Sequence, residues 1–433
     1  MRGPSKRRSG LIPTVEIQLA YGKNGLCVDL PENVVVIEPD YLPALPDETG
    51  ALKTAFRNPL NCEPLMRSVK KGQTVGISVC DITRPMPNNR VIPVILNELS
   101  HLPPEDITIF IATGTHRSND NSELESMLGP EVVNYGCRII NHDAFDTKKV
   151  DLVGQTSKGI PILINKNWLE CDFKITTGFV EPHFFAGFSG GPKMIAPGLA
   201  GFETIMNLHN AEMIANPNSR WGVTEGNPIH DSIREIAEKI PSDFSLDVTI
   251  NKQHGITSVY AGNMFDVHRA ACRFAKGTAM KKVDKPFDLV VTTNSGYPLD
   301  MNLYQTVKGL SAASQIVRNG GGIICASECS DGIPDHGLYK ELLSSRSSPR
   351  DLLNLIESPG HDRHDQWQVQ IQAQIQIKSD VYLKSDNLTP DQVRAAHLQP
   401  IDDISETVRM LAENKGNTIC VLPEGPQTIP YIS

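Results

Sequence analysis

The feature that most constrains this chain is a repeated local pattern: a short β-rich run breaks off into a polar, Gly- or Pro-containing loop, and a helical pattern often follows. Thr74 to Cys80 runs into Asp81-Ile82-Thr83-Arg84-Pro85, and Val91, Ile95 and Leu99 then recur at helical spacing. Ile107 to Ala112 runs into Thr113-Gly114-Thr115-His116-Arg117. Phe173 to Thr177 leads to Gly178-Phe179-Val180-Glu181-Pro182-His183, and Asp288 to Thr293 leads to Asn294-Ser295-Gly296-Tyr297-Pro298. This rhythm predicts an α/β fold. In open α/β sheets, ligands bind beyond the carboxyl ends of the strands, so four polar clusters at such ends point to a shared site.

The length of 433 residues suits two or three folding units at about 150 residues each. The sequence predicts a flexible basic tail over 1–20 carrying Arg2, Lys6, Arg7 and Arg8. An α/β domain over 21–282 follows, and the polar stretch Lys281 to Pro286 marks the boundary with a second α/β domain over 287–433. Ser245 to Ile250 and Ile256 to Tyr260 read as a hairpin, and Asn263 to Ala279 as a helix. In the second domain, a helix is expected from about Leu303 to Asn319, ended by Gly320-Gly321-Gly322 and followed by a strand, Ile323 to Ala326. Gln366 to Ile377 is ambiguous: its alternation suits a strand, while Trp367, Ile371 and Ile375 share one helical face.

Lys and Arg total 41 against 50 Asp and Glu, a net charge of −9, which argues against broad binding to nucleic acid. A local pocket can still be basic on an acidic chain. The nine cysteines form no even framework, and Cys325 and Cys329 lack the further cysteine an iron–sulfur triplet needs, so they read as thiols of a reducing compartment. No apolar run reaches the ~18 residues of a membrane span, so no membrane partner and a cytoplasmic location are expected.

The densest chemical signal is Glu181 to Gly201, which carries His183, Lys193 and a set of glycines that let backbone amides approach an anion. It is not a Walker loop, because Pro192-Lys193-Met194 removes both the Gly before the Lys and the magnesium-binding hydroxyl after it. His209 stands within a helical pattern and is either a packed histidine or a metal ligand whose other donors come from elsewhere. Gln305 and Lys308 share a helix face near its amino-terminal end, where an anion would face both the ammonium and the open amides. His116 and His183 are the acid/base candidates, since imidazole titrates near neutrality, at about 6.5.

Taken together, four motifs resemble the nickel-pincer-nucleotide lactate racemase family, over about Tyr21 to Trp367. They are Asp81-Ile82-Thr83-Arg84-Pro85; Ala112-Thr113-Gly114-Thr115-His116-Arg117; Glu181 through Lys193; and Tyr304-Gln305 with Lys308. The resemblance implies a two-domain α/β enzyme with its active site in the cleft between the domains, acting as a racemase or epimerase of a small 2-hydroxy acid. The implied cofactor is nickel(II) pyridinium-3,5-bisthiocarboxylic acid mononucleotide, covalently attached at Lys193, with His209 as the protein ligand to nickel. Asp81, Ile82, Thr83 and Arg84 match cofactor-binding positions. His116 and His183 match the two bases that handle the hydroxyl proton while the α-hydrogen leaves as hydride and a 2-keto acid forms. Gln305 and Lys308 match groups that orient the substrate carboxylate, with Arg84, Tyr304 and Trp367 lining the substrate site. The family reading makes the segment around Trp367 helical, and it implies cofactor-biosynthesis enzymes as partners. Lactate, malate, aromatic 2-hydroxy acids and sugar acids all carry the carboxylate this clamp would hold; Phe184 and Phe185 favour a small or apolar side group. Two rival readings are a phosphoryl-transfer enzyme using Gly187 to Lys193 and a noncatalytic ligand sensor.

Overall fold

The computed structural model describes residues 13–335 and 337–432. The basic cluster Arg2, Lys6, Arg7 and Arg8 lies outside the described residues. The chain divides into two compact units: Asp40–Met280, and Lys281 onward joined by the chain up to Pro39.

The Asp40–Met280 unit is built on a six-stranded sheet in the spatial order Ile256–Gly262, Phe244–Ile250, Phe173–Phe179, Val75–Cys80, Ile107–Ala112, Arg138–Asn141. All neighbours run parallel except the hairpin of the first two. Every residue of Val75–Cys80 is buried, as a parallel strand covered on both faces requires. On the helix Asn88–Glu98, Val91 and Ile95, with Leu99 at its end, are fully buried against Ile77, Ile109 and Ile175 of the sheet. In-register pairing from Val75↔Ile107 to Cys80↔Ala112 brings the carboxyl ends of the strands side by side. The loops that follow Cys80, Ala112 and Phe179 therefore leave the sheet at one edge.

The second unit also has six parallel strands, in the order Gln399–Pro400, Asp380–Lys384, Val317–Ala326, Phe287–Thr293, Ile419–Leu422, Val35–Val36. Its core joins Leu289, Val291, Ile324 and Val421 to Leu19 and Leu30 of the antiparallel hairpin Thr14–Leu19 and Leu26–Pro31. Two expectations change here. Residues 14–19, assigned to a flexible tail, form a strand because Ile17 and Leu19 supply buried apolar side chains to this core. Residues 21–39, assigned to the first domain, belong to this unit, because Tyr21, Val28 and Leu30 pack in its core and Val35–Val36 pairs with Ile419–Leu422.

The helix expected to run to Asn319 ends sooner, spanning Leu303–Ser314, and the next strand starts at Val317. Gly320-Gly321-Gly322 therefore lie inside the strand, where the register against Phe287–Thr293 shifts. A Cβ on Gly321 would sit 2.6 Å from the Asp288 carbonyl oxygen, so the glycine permits a close backbone approach.

Gln366–Lys378 is a helix, as the family resemblance implied. It buries aliphatic and glutamine side chains alike, so its alternating pattern is equally compatible with a strand. Its buried amides bond inward: Gln372 Nε2 donates to the Ala396 carbonyl at 2.9 Å, and the Tyr339 hydroxyl donates to Gln372 Oε1. Among the described residues no helix is long and apolar enough to cross a membrane. All nine cysteines are free thiols, and six of them are buried.

Candidate active site

The turn after Val75–Cys80 is closed by Arg84 N–H donating to the Asp81 carbonyl at 3.1 Å, which folds Thr83 and Arg84 back over Asp81. Asp81 is buried at 3% exposure, and its carboxylate collects donors. Thr83 Oγ1 donates to Oδ1 at 2.7 Å, and His116 Nδ1 lies 2.7 Å from Oδ2. Burial by itself would raise the Asp81 pKa, but the hydrogen bonds from His116 and Thr83 and the Arg84 charge together hold it below the usual carboxylate range. An ionised carboxylate only accepts, so His116 Nδ1 carries the proton and, in the neutral ring, Nε2 is the basic atom. Arg84 Nη1 donates to Thr83 Oγ1 at 3.0 Å, which keeps a guanidinium next to this pair.

The loop after Ile107–Ala112 is fixed beneath His116 by Thr113 Oγ1 donating to the His142 carbonyl at 2.6 Å and by Gly114 N–H donating to Gly198 O at 3.0 Å. His142 is itself a packed residue. Its Nε2–H donates to Ala200 O at 2.8 Å, and burial lowers its pKa. Arg117 turns to Glu123 in a bidentate pair.

His183 is set differently. Its Nδ1 accepts the Ala186 backbone N–H at 3.3 Å, which puts the proton of the neutral ring on Nε2. Its ring packs against Phe184 and Phe185, with centroids 5.0 and 4.6 Å away, and Trp221 closes the far side of Phe184 at 5.9 Å. Phe185 also stands edge-on to His209, centroid to centroid 5.2 Å. His209 ends the helix Phe202–Leu208, and its Nδ1 lies 2.7 Å from the Ile205 carbonyl oxygen. A carbonyl only accepts, so Nδ1–H donates and the lone pair of the neutral ring is on Nε2, the form a metal ligand needs.

Lys193 sits in the 3₁₀ turn Gly191–Met194, entered through Gly190 and Gly191 at φ +73° and +51°. The Met194 carbonyl accepts Ser78 Oγ–H at 3.0 Å, tying the turn to the central strand. Ile82 packs partly buried against the core of this unit. Asp81, Ile82, Thr83, Arg84, His116, His183, Lys193 and His209 thus all belong to the Asp40–Met280 unit. Among the described residues no group of three or more His, Cys, Asp or Glu side chains could hold a metal. A metal bound through His209 would take its remaining donors from a cofactor.

Tyr304, Gln305, Lys308 and Trp367 belong to the other unit. Asn302 caps the helix Leu303–Ser314 by accepting Gln305 N–H at 3.0 Å, and Gln305 and Lys308 lie on one half-buried face of its first turns. Trp367 Nε1 donates to the Tyr304 hydroxyl at 3.2 Å, while Gln368 Nε2 donates to the Tyr304 carbonyl at 2.5 Å. The Asp81–His116 pair escaped the sequence reading, because nothing in their spacing shows that they meet. So did a buried group of Asp247, His268 and His230 next to the Gly190-Gly191 backbone, since the three residues lie far from the glycines in sequence and form no motif with them.

Comparison with known proteins adds to this geometry. The lactate racemase N-terminal domain family matches residues 21–222, and the lactate racemase C-terminal domain family matches residues 282–429. The chain is 35% identical over 422 residues to a lactate racemase of Thermoanaerobacterium thermosaccharolyticum, covering 95% of this chain and 98% of that protein. It is 33% identical over 384 residues to a lactate racemase of Lactiplantibacillus plantarum, covering 87% and 90%. The structure of the lactate racemase apoprotein from Thermoanaerobacterium thermosaccharolyticum superposes with a TM-score of 0.89 at 34% identity, over 96% of this chain and 100% of that one. A Thermotoga maritima protein at 19% identity and a TM-score of 0.69, covering 91% of this chain and 100% of that one, shares the fold. The chain belongs to the lactate racemase family of isomerases.

Proposed function

We propose that this protein racemises a small 2-hydroxy acid, with lactate as the leading substrate, and that His116 and His183 exchange the hydroxyl proton. The observation that carries the proposal is the opposed protonation of the two rings. Asp81 fixes His116 with a basic Nε2, whereas Ala186 N–H fixes His183 with a protonated Nε2. One ring presents a lone pair to the substrate oxygen and the other presents an N–H, and each takes the other's role once it has lost or gained a proton. His116 Nε2 accepts the substrate hydroxyl proton as the α-hydrogen departs and a planar 2-keto acid results; when hydride returns to the other face, the keto oxygen takes a proton from His183 in its imidazolium form, and proton exchange with solvent resets both rings. Gln305 and Lys308 hold the substrate carboxylate, with Arg84, Tyr304 and Trp367 also on the substrate. The ring wall of Phe184, Phe185 and Trp221 favours a methyl-sized or apolar side group over a second carboxylate.

The residues present fit the nickel-pincer nucleotide. His209 offers Nε2 in lone-pair form and would hold the nickel through it, with the cofactor supplying the remaining donors. Lys193 sits in a turn that Ser78 ties to the strand which Asp81 through Arg84 follow. When bound at Lys193, the cofactor supplies the acceptor and donor of the hydride. Enzymes that build the cofactor are then required partners.

Protein produced together with such enzymes is predicted to show an added mass that maps to Lys193, to contain about one nickel per chain, and to interconvert the enantiomers of lactate in a chiral assay. A panel of malate, aromatic 2-hydroxy acids and sugar acids reads the substrate range. Absence of both the added mass and turnover, in a preparation where a known racemase is loaded, would sink the proposal. ATP and magnesium binding would favour phosphoryl transfer, whereas ligand binding without turnover would favour a sensor.

A further inference from the structure

Against the backbone that carries Lys193 lies a set of buried polar side chains for which racemisation has no use. Asp247, in the strand Phe244–Ile250, is 1% exposed; its Oδ1 accepts Gly191 N–H at 3.1 Å, and its Oδ2 has no hydrogen-bond partner among the described residues. His268, on the helix Met264–Ala279, is buried, with Nε2 2.9 Å from the Ser189 carbonyl oxygen. A carbonyl only accepts, so that nitrogen carries the proton. His230 stacks on His268 with centroids 5.4 Å apart and ring planes 14° from parallel. Lys193 is within electrostatic reach of both rings, because its charge adds to the burial that lowers their pKa values.

The fit is close on the backbone side. A Cβ on Gly191 would lie 2.5 Å from the His268 ring, and one on Gly190 would lie 3.0 Å from Asp247 Oδ1. At Gly178, on the next strand, the distance to the same oxygen would be 2.8 Å. An apolar side chain at position 247 would fill a sheet interior at less cost than a carboxyl group with one satisfied oxygen. The polar pair is therefore explained by what it holds.

We propose that Asp247 and His268 are positioning residues that clamp the Ser189 to Gly191 backbone and so present Lys193 in one orientation for cofactor attachment. The clamp has two points, an acceptor for Gly191 N–H and a donor to Ser189 O, on either side of Gly190. Loss of either bond frees the backbone on one side of Gly190. The role in attachment rests on the reading that Lys193 carries the cofactor; the clamp itself does not.

Hydrogen–deuterium exchange of the apoprotein tests the clamp, and intact mass of protein made with the cofactor-building enzymes tests its purpose. Asp247→Ala and His268→Leu should each speed amide exchange across residues 189–193 by about tenfold, the loss of one hydrogen bond, with strand Val75–Cys80 unchanged. Both should lower the fraction modified at Lys193. Asp247→Asn, which keeps an oxygen for Gly191 N–H, and His268→Gln, which keeps an N–H for Ser189 O, should restore both readouts. Unchanged exchange in Asp247→Ala and His268→Leu would overturn the proposal, as would faster exchange with parental attachment. If Asp247→Ala fails to fold, the His268→Leu and His268→Gln pair decides. If the unsubstituted protein gains no mass at Lys193, the cofactor assignment fails, while the exchange result still judges the clamp.

Discussion

Asp81 is the side chain through which the proposed chemistry is most open to test at the residue scale. Its carboxylate selects the His116 tautomer, so Asp81→Asn should lower kcat for racemisation by about a hundredfold, the lower end of what general acid–base catalysis contributes. Thr83→Ala, which removes one of two donors to the same carboxylate and leaves His116 in place, should cost about tenfold or less. Steady-state rates in both directions measure this, and equal losses would contradict the tautomer argument. The buried group near Lys193 predicts a pH effect on stability. Burial holds the His230 and His268 pKa values down at about 3 and about 4, so both rings stay neutral when folded and charge on unfolding. Their contribution is complete above about pH 6.5 and is lost as the pH falls towards 4. Burial raises Asp247 to about 7, so the folded state holds a proton that the unfolded state releases, and this contribution fades as the pH rises from 4 to 7. The two effects oppose each other. Asp247→Asn removes one, and the rise of unfolding free energy with pH between 4.5 and 6.5 should steepen by up to about 1.4 kcal/mol per pH unit. Urea unfolding across that range checks it; parallel curves would show that Asp247 does not titrate there.

At the scale of elements, the helix Leu303–Ser314 depends on close contact with the strand before it. A Cβ on Gly309 would lie 2.1 Å from the Thr293 carbonyl oxygen, so Gly309→Ala must push the helix away from its sheet. We expect a loss of about 1–3 kcal/mol in stability, together with a raised KM for the hydroxy acid, because Gln305 and Lys308 ride on the same helix. Unchanged stability and KM would contradict that packing. Gln372→Leu tests the buried glutamines of Gln366–Lys378, since it strands the fully buried Tyr339 hydroxyl and should cost about 1–3 kcal/mol. Elements with a strong local signature were legible in advance: Ile107–Ala112 and the hairpin around Asn251 to Gly255 read directly from apolar runs and turn residues. Elements whose signal depends on distant partners were not. Thr14–Leu19 becomes a strand through contacts with residues far along the chain, and Gly320-Gly321-Gly322 reads as a helix stop until Asp288 is seen opposite. His116 and His183 could be proposed as acid/base candidates from their loops, but their protonation is set by Asp81 and by a backbone amide that no motif marks.

Across the whole molecule, sequence order and spatial grouping diverge. The family's N-terminal match begins at residue 21, yet the chain up to Pro39 folds with the unit that begins at Lys281. Net charge is equally uninformative about the site. A chain of −9 carries Arg84 in a loop after a strand and Lys193 in a 3₁₀ turn of one unit, and Lys308 near a helix start in the other. The most direct measurement is chiral analysis of L-lactate incubated with protein whose nickel and Lys193 occupancy are matched across the parent, His116→Ala and His183→Ala. The parent should carry L-lactate to an equal mixture of enantiomers, and each variant should do so slower by about a hundredfold or more. Racemisation at the parental rate in both variants would contradict the account.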